Sequence, residues 1–234
     1  MLSIVVPVLD EAENLERLLP HLRSRCPDAE VIVVDGGSAD RTARVARAWP
    51  HARYLASRRG RARQMNAGAR AAQGDMLLFL HADTLLPVGA GAAIARALAD
   101  PKVVGGRFDV SFVSPRPAFR LIATFMNWRS RLTGIATGDQ AIFVRRDVFE
   151  ALGGYPDIPL MEDVELCARL KRRGPIQCLR LRVITSARKW EREGTLRTVV
   201  LMWALRLLYF LRVNPVRLHR WYYRRPPLVI SPEG

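Results

Sequence analysis

The chain has 234 residues, 49% of them apolar and 25% charged, so it carries enough hydrophobic side chain for one large domain, or one domain with an appendage, and is not a disordered polymer. Its 37 lysines and arginines outnumber 22 acids, for a net charge of +15. Much of that excess lies late: from Arg169 to Arg225 there are 16 cations and two acids, Glu191 and Glu193, a bias that points to phosphate ligands, nucleic acid or an anionic membrane surface. The three cysteines (Cys26, Cys167, Cys178) are odd in number and match no metal-binding spacing, which predicts a reducing, cytoplasmic setting. The opening "MLSIVVPVLDEAEN" has no basic leader region and reads as a strand rather than a signal peptide.

In chain order, Ser3–Val8 is a short β-rich run, followed by a helical pattern to about Ser24. Glu30–Val34 is an apolar strand ending at Asp35, and Ser38 or Asp40 can cap a helix that runs through Ala48. Arg53–Ala56 is a weaker strand, Arg61–Ala72 an Ala-rich helix, Met76–Leu80 a buried strand and Gly89–Ala99 another helix. Continuous apolar strands alternating with helices predict a parallel α/β sheet covered on both faces. The second half is more mixed: a strand over Val103–Val113 interrupted by Gly105-Gly106, a helix over Pro117–Leu132, a Gly/Thr loop "TGIATGDQ", a short strand Ala141–Val144, and a loop "LGGYPDIPLMED" opening a helix over Glu162–Arg173.

In parallel α/β sheets, ligands bind beyond the carboxyl ends of the strands. Three strand ends there are acidic: Pro7-Val8-Leu9-Asp10-Glu11, Asp35-Gly36-Gly37 and His81-Ala82-Asp83. Asp35 is either a turn carboxylate or a group that accepts hydrogen bonds from a nucleotide; the G-x-G-x-x-G of a dinucleotide site is missing after the first strand. Asp83 is either a satisfied turn carboxylate or a ligand to Mg²⁺ or Mn²⁺, which favour one or two carboxylates plus substrate phosphates. His81 would face the same side at period two, as a second metal ligand or a donor to phosphate. Arg61, Arg63, Gln64 and Asn66 start a helix, where anions are favoured, or else form a solvated face. Glu162-Asp163 starts another helix, where acids complement the dipole or serve as a base.

Taken together, "SIVVPVLDEAENLERLL", "EVIVVDGGSADRT", "RGRARQMNAGARAAQGDMLLFLHADT", "GDQAIFVRRDVFEALGGYP" and "LMEDVELCARLKRRG" resemble the inverting family 2 glycosyltransferases of GT-A fold over about residues 1–190. The resemblance implies a nucleotide-sugar half (about 1–112), an acceptor half (about 113–190) and a C-terminal helical basic segment (191–234). It implies that Asp10 or Glu11, with Asp35, holds the uracil and ribose of a UDP-sugar, that Pro7 belongs to the same nucleotide-sugar site, and that Arg63, with Gln64 or Asn66, lies near the base or diphosphate. His81, Ala82 and Asp83 stand at the family's D-x-D metal motif, with His81 in place of its first acid. Asp163, with Glu162 and Asp139, falls at the catalytic centre, Asp163 matching the usual base. Arg188-Lys189-Trp190 sits where many members place a basic-aromatic motif near the diphosphate.

A narrower resemblance, carried by "HADTLLP", "TGDQAIFVRRDVF", "PLMEDVEL" and "RKWEREG", is to a bacterial subgroup of small transferases associated with selenium metabolism, and within it to the selenosugar synthases of selenoneine biosynthesis. It implies transfer of glucose or N-acetylglucosamine from the UDP-sugar to selenophosphate, with a C–Se bond formed. Such an acceptor needs cations, for which Arg145, Arg146, Arg188, Lys189 and Arg192 are candidates. The apolar run Leu196–Leu211 is 16 residues with Arg206 inside, short of the roughly 20 needed to span a bilayer. It reads first as a buried or dimer-forming helix. Its second reading is an interfacial helix flanked by Arg212, Arg217, Arg220, Arg224 and Arg225, which would give peripheral membrane contact and suit a hydroxyl or polyprenyl-phosphate acceptor. A nucleic-acid partner is disfavoured, since no nucleic-acid module is present and acidic strand ends repel phosphate.

Overall fold

The computed structural model describes residues 1–223, the side chains of Lys189, Arg192 and Glu193 excepted. Arg224 and Arg225 lie outside the described residues. The first part alternates as expected: β1 (Leu2–Val8), α1 (Ala12–Arg25), β2 (Glu30–Asp35), α2 (Thr42–Ala48), β3 (Ala52–Ala56), α3 (Arg61–Ala71), β4 (Met76–Phe79), β5 (Thr84–Leu85) and α4 (Ala90–Ala97). Then come β6 (Gly105–Val113), α5 (Pro117–Thr133), a 3₁₀ turn at Gly138–Gln140, β7 (Ile142–Arg145), α6 (Arg146–Ala151), α7 (Glu162–Leu170), β8 (Ile176–Ser186), α8 (Arg188–Glu193), α9 (Thr195–Phe210) and α10 (Pro215–Tyr223).

One eight-stranded sheet runs β3-β2-β1-β4-β7-β6-β8-β5. β3, β2, β1 and β4 are parallel, as the buried apolar runs predict. Alternate residues of β1 serve opposite layers: Ile4, Val6 and Val8 pack with Leu15, Leu18 and Leu22 of α1, while Val5 joins Met65 and Ala69 of α3. Gly68 permits the close approach of α3, since a Cβ there would lie 2.3 Å from Val5 Cγ1.

Beyond β4 the sheet turns mixed. β7 runs antiparallel to β4 and β6, and β8 is parallel to β6. Gly105-Gly106 does not interrupt a strand but begins one: a Cβ on Gly106 would come within 2.2 Å of the Gln177 carbonyl oxygen, so glycine lets β6 lie flush between its neighbours. The long strand β8 has no counterpart among the predicted elements. Its register slips between Phe108 and Asp109, which pair with Leu179 and Arg182, and that bulge breaks the alternation a strand shows in sequence.

The apolar run at 196–211 forms α9; of the first expectation, a buried or dimer-forming helix, the buried form does not hold, because only Thr198 and Leu205 are buried. Leu205 and Leu218 of α10 close a separate cluster over Met161, just before α7. Tyr209 of α9 donates its hydroxyl to Glu165 of α7 at 2.9 Å.

Candidate active site

The loops that follow β1 and β2 are laced together by their own polar groups. Asp10, at φ 55°, accepts from the Ala39 N–H at 2.7 Å, and Ser38 Oγ accepts from the Asp10 N–H at 2.9 Å. Asp40 accepts from the Thr42 N–H at 2.8 Å, at the start of α2 as predicted, and its other oxygen accepts from Ala12 at the start of α1. Asp35 is 3% exposed and accepts from the Gly37 and Ser38 N–H groups, the Ser38 hydroxyl and the Tyr54 hydroxyl. The bonds of Asp35 to Gly37 and Ser38 and of Asp40 to Thr42 are those a turn carboxylate makes, while those to Tyr54, Ala39 and Ala12 tie separate segments together.

Helix α3 closes the same edge. Gln64 is buried and its amide donates to the carbonyls of Val8 (2.7 Å) and Val34 (2.8 Å), bridging the ends of β1 and β2. Asn66 exchanges two hydrogen bonds with the backbone of Tyr155, both at 2.8 Å. Arg63 pairs with Asp157 at 2.8 Å. Pro7 lies within β1 opposite Val34, as a wall residue. These residues were expected to face the nucleotide. The two amides are instead committed to the backbone of the walls, and Arg63 faces the loop before α7.

The second group of residues is held differently. β4 ends at Phe79, and Ala82-Asp83 lie at the centre of a turn in which the Thr84 N–H donates to the His81 carbonyl. The period-two reading of His81 and Asp83 therefore does not hold. The His81 ring turns to Asp139, Nδ1 lying 3.3 Å from its carboxylate, and Nε2 is buried with no bonding partner among the described residues. That nitrogen abuts Gly138, where a Cβ would come within 2.4 Å. Asp83 lines a cleft of about 110 Å³ with Ala82, Asn14, Arg17, Ser186 and Arg188. Burial raises its pKa, His81 opposes that rise and Asp139 adds to it. Glu11 is raised too, by burial first; its bond from Asn14 opposes this and the charge of Asp83 adds to it.

Across from this cleft, Met161 takes a left-handed conformation (φ 69°) and starts α7 with Glu162 and Asp163 side by side. A non-glycine residue in that region is strained and held by its surroundings. Glu162 is buried and lies 3.7 Å from Arg61. Asp163 accepts from the Gly138 N–H at 2.9 Å and from the Val164 N–H at 2.7 Å. Burial, with the charge of Glu162 beside it, pushes its carboxyl up to about 6 despite these bonds. A carboxylate with that pKa can exchange a proton near neutral pH.

The cations assigned from sequence separate. Arg188 reaches the cleft, and Trp190 packs edge-on against Phe112, anchoring α8. Lys189 and Arg192 carry no described side chain. Arg145 is a correction: its guanidinium donates to the carbonyls of Leu98, Val103 and Asp100, at the C-terminal end of α4. It pairs in register with Met76, the first residue of β4, so antiparallel β7 carries it to the edge opposite the cleft. Arg146 is likewise occupied there, by Glu150 at 2.7 Å. Sequence reasoning missed Asn14 and Arg17, which the helical three-residue spacing from Glu11 could have indicated, and Arg129, whose buried Nε and Nη2 have no partner among the described residues.

A divalent cation is expected here from the motif at residues 81–83. No group of three His, Cys, Asp or Glu side chains among the described residues could cage one. Asp83, lining an open cleft with Asn14, Ser186 and Arg188, fits a hard cation that draws most of its oxygen ligands from phosphate and water. His81, turned to Asp139 and Gly138, is placed as a support rather than a ligand.

The chain resembles known sugar-transferring proteins. It is 28% identical over 173 residues to Glycosyltransferase AglE of Haloferax volcanii, a match covering 66% of this chain and 56% of that protein. The fold aligns with the mannosyltransferase PcManGT of Pyrobaculum calidifontis, solved with GDP-Man and Mn²⁺, at a TM-score of 0.63 and 25% identity, over 78% of this chain and 56% of that one. It also aligns with residues 1–349 of S. aureus TarS in complex with UDP-GlcNAc, at a TM-score of 0.62 and 16% identity, over 79% of this chain and 58% of that one. The chain thus spans a little over half the length of each. The mixed α/β sheet flanked by helices is of the GT-A type expected. The sequence profile described as Glycosyl transferase family 2 matches residues 3–153, well over half of the chain. This chain belongs to glycosyl transferase family 2.

Proposed function

We propose that the protein transfers a sugar from a UDP-sugar, with inversion, to a small anionic acceptor, and that this acceptor is selenophosphate. Selenium would attack the anomeric carbon as the bond to the β-phosphate oxygen breaks, and UDP would leave with the electron pair. Asp83 would hold Mg²⁺ or Mn²⁺ against the diphosphate, and the cation would supply stabilisation of the leaving charge. Arg188, beside Asp83 in the cleft, would bind the same phosphates. The observation that carries an anionic acceptor is the pair Arg61 and Arg129. Both act on the Asp163 charge, and Arg129 keeps buried, unpartnered N–H groups beside it. These replace Arg145 and Arg146 as acceptor-side cations.

A hydroxyl acceptor is the second reading, favoured by Asp163, whose pKa of about 6 suits a base that takes a proton from an alcohol. The deciding experiment supplies UDP-glucose or UDP-N-acetylglucosamine, Mg²⁺ or Mn²⁺, and either selenophosphate, thiophosphate or a polyprenyl phosphate, with products read by mass spectrometry. A selenium-bearing glycoside is the expected result. Turnover of only the polyprenyl phosphate would move the acceptor to lipid, and no turnover of any would overturn the acceptor assignment.

A further inference from the structure

Two helices expose apolar stripes that the site does not use. On α5, Leu121, Phe125, Trp128 and Leu132 are exposed, at spacings of four, three and four, while Phe119 and Ala123 face the core. On α9 the exposed set is Leu196, Val200, Trp203, Leu207 and Phe210, again at heptad-like spacing, with Phe210 83% exposed. The two stripes are continuous, because the rings of Phe125 and Trp203 meet at 4.9 Å and those of Phe125 and Trp128 at 5.9 Å. A contiguous exposed apolar face on a folded domain marks a binding surface.

The charges that α5, α9 and α10 themselves carry are of one sign, while Glu191 of α8, at the border, accepts from the Ser114 hydroxyl at 2.9 Å. Residues 110–138, which include α5, contain no acid, and neither do residues 194–223, which include α9 and α10. The same segments carry exposed Arg116, Arg120, Arg197, Arg212, Arg217 and Arg220. A two-fold contact between copies would set this acid-free face against itself, cation upon cation. An anionic surface complements it. Exposed Trp128 and Trp203 give the face interfacial aromatics. No helix among the described residues is long and apolar enough to cross a membrane, and α9 carries Arg206 inside it.

We propose that the α5–α9 face docks the protein on an anionic lipid bilayer, with α9 lying in the plane of the headgroups and the flanking arginines on lipid phosphates. The proposal is independent of the acceptor: it holds whether the transferred sugar goes to selenophosphate or to a lipid. It does place the site at the membrane surface, because α9 joins α8 next to the Asp83 cleft and packs on the turn that bears Asp163.

The test is co-sedimentation of the full chain with vesicles of phosphatidylcholine, with and without phosphatidylglycerol, at low and high salt. Pelleting is expected with phosphatidylglycerol and should weaken with salt. The double variant Phe125→Ser/Trp203→Ser should lower the vesicle partition constant by about tenfold, a loss of about 1.4 kcal/mol. Its far-ultraviolet circular dichroism and thermal unfolding would establish that it folds. In the unmodified protein, tryptophan fluorescence should shift blue on phosphatidylglycerol vesicles and be quenched by brominated lipid. Absence of pelleting and of quenching would overturn the proposal. So would binding that the double variant leaves intact, or light scattering that finds a dimer which that variant dissociates.

Discussion

The two sides of the active cleft spend their polar groups in opposite ways. On the β1–β2–α3 side, Asp10, Asp35, Asp40, Gln64 and Asn66 give their side chains to the backbone of neighbouring loops. On the side built by residues 81–83, 137–139 and 161–163, Glu162 is buried, Asp83, Asp139 and Asp163 are half-buried near one another, and Asp83 and Asp163 have raised pKa values. One side is a rigid frame and the other holds charge that the fold alone does not neutralise. On the proposed reading both are needed: a frame that stays in place and charge set against the leaving diphosphate.

The contrast can be broken most severely at Asp163. Asp163→Asn should lower kcat by about 10²–10⁴-fold with a hydroxyl acceptor. With selenophosphate, whose selenium is already anionic, slow turnover should persist, and single-turnover kinetics with each acceptor distinguish the two. Asp83→Asn should cost about 10-fold to 100-fold in activity and weaken the response to added Mn²⁺, measured by titrating the metal at fixed donor. The wild-type rate with a hydroxyl acceptor should fall roughly tenfold per pH unit below about 6, as Asp163 takes up a proton, and that limb should vanish in the Asn variant. The sign for stability is opposite. The carboxyl is raised from 3.8 to about 6, so its stabilising protonation is complete below 3.8 and lost as pH rises through 6. Asp163→Asn should therefore unfold at higher urea than the wild type above pH 6.

The frame side should respond in stability rather than chemistry. Gln64→Leu strands two strand-end carbonyls and should cost about 1–3 kcal/mol in urea unfolding. Arg145→Ala removes the cation at the end of α4 and should cost about 1 kcal/mol or less with kcat unchanged. A large loss of kcat in Arg145→Ala would return that residue to the acceptor side.

The parallel half was legible because its strands are buried on both faces and read as unbroken apolar runs between helices. β8 was not, because the bulge opposite Phe108 and Asp109 shifts its alternation midway. Chain position alone brings Asp83, Asp139 and Asp163 near one another, since strand ends and helix starts gather at that edge. Arg145 was misplaced because its place depends on the direction of β7, which β4 and β6 impose and the residues 142–145 do not encode. Gln64 and Asn66 illustrate a different limit. Spacing puts them at the right edge, but which backbone groups an amide captures depends on loops distant in the chain, such as the one holding Tyr155.

Met161 carries one more consequence. Its left-handed backbone fixes the turn before Asp163, and its side chain is held by Leu205 and Leu218 in a cluster separate from the two that cover the sheet. The turn that carries Asp163 is thus braced by a small cluster formed with α9 and α10, apart from the two large ones. On heating, partial melting confined to α9 and α10 should release that brace first, so catalytic competence should fade at a lower temperature than the one at which the sheet itself gives way.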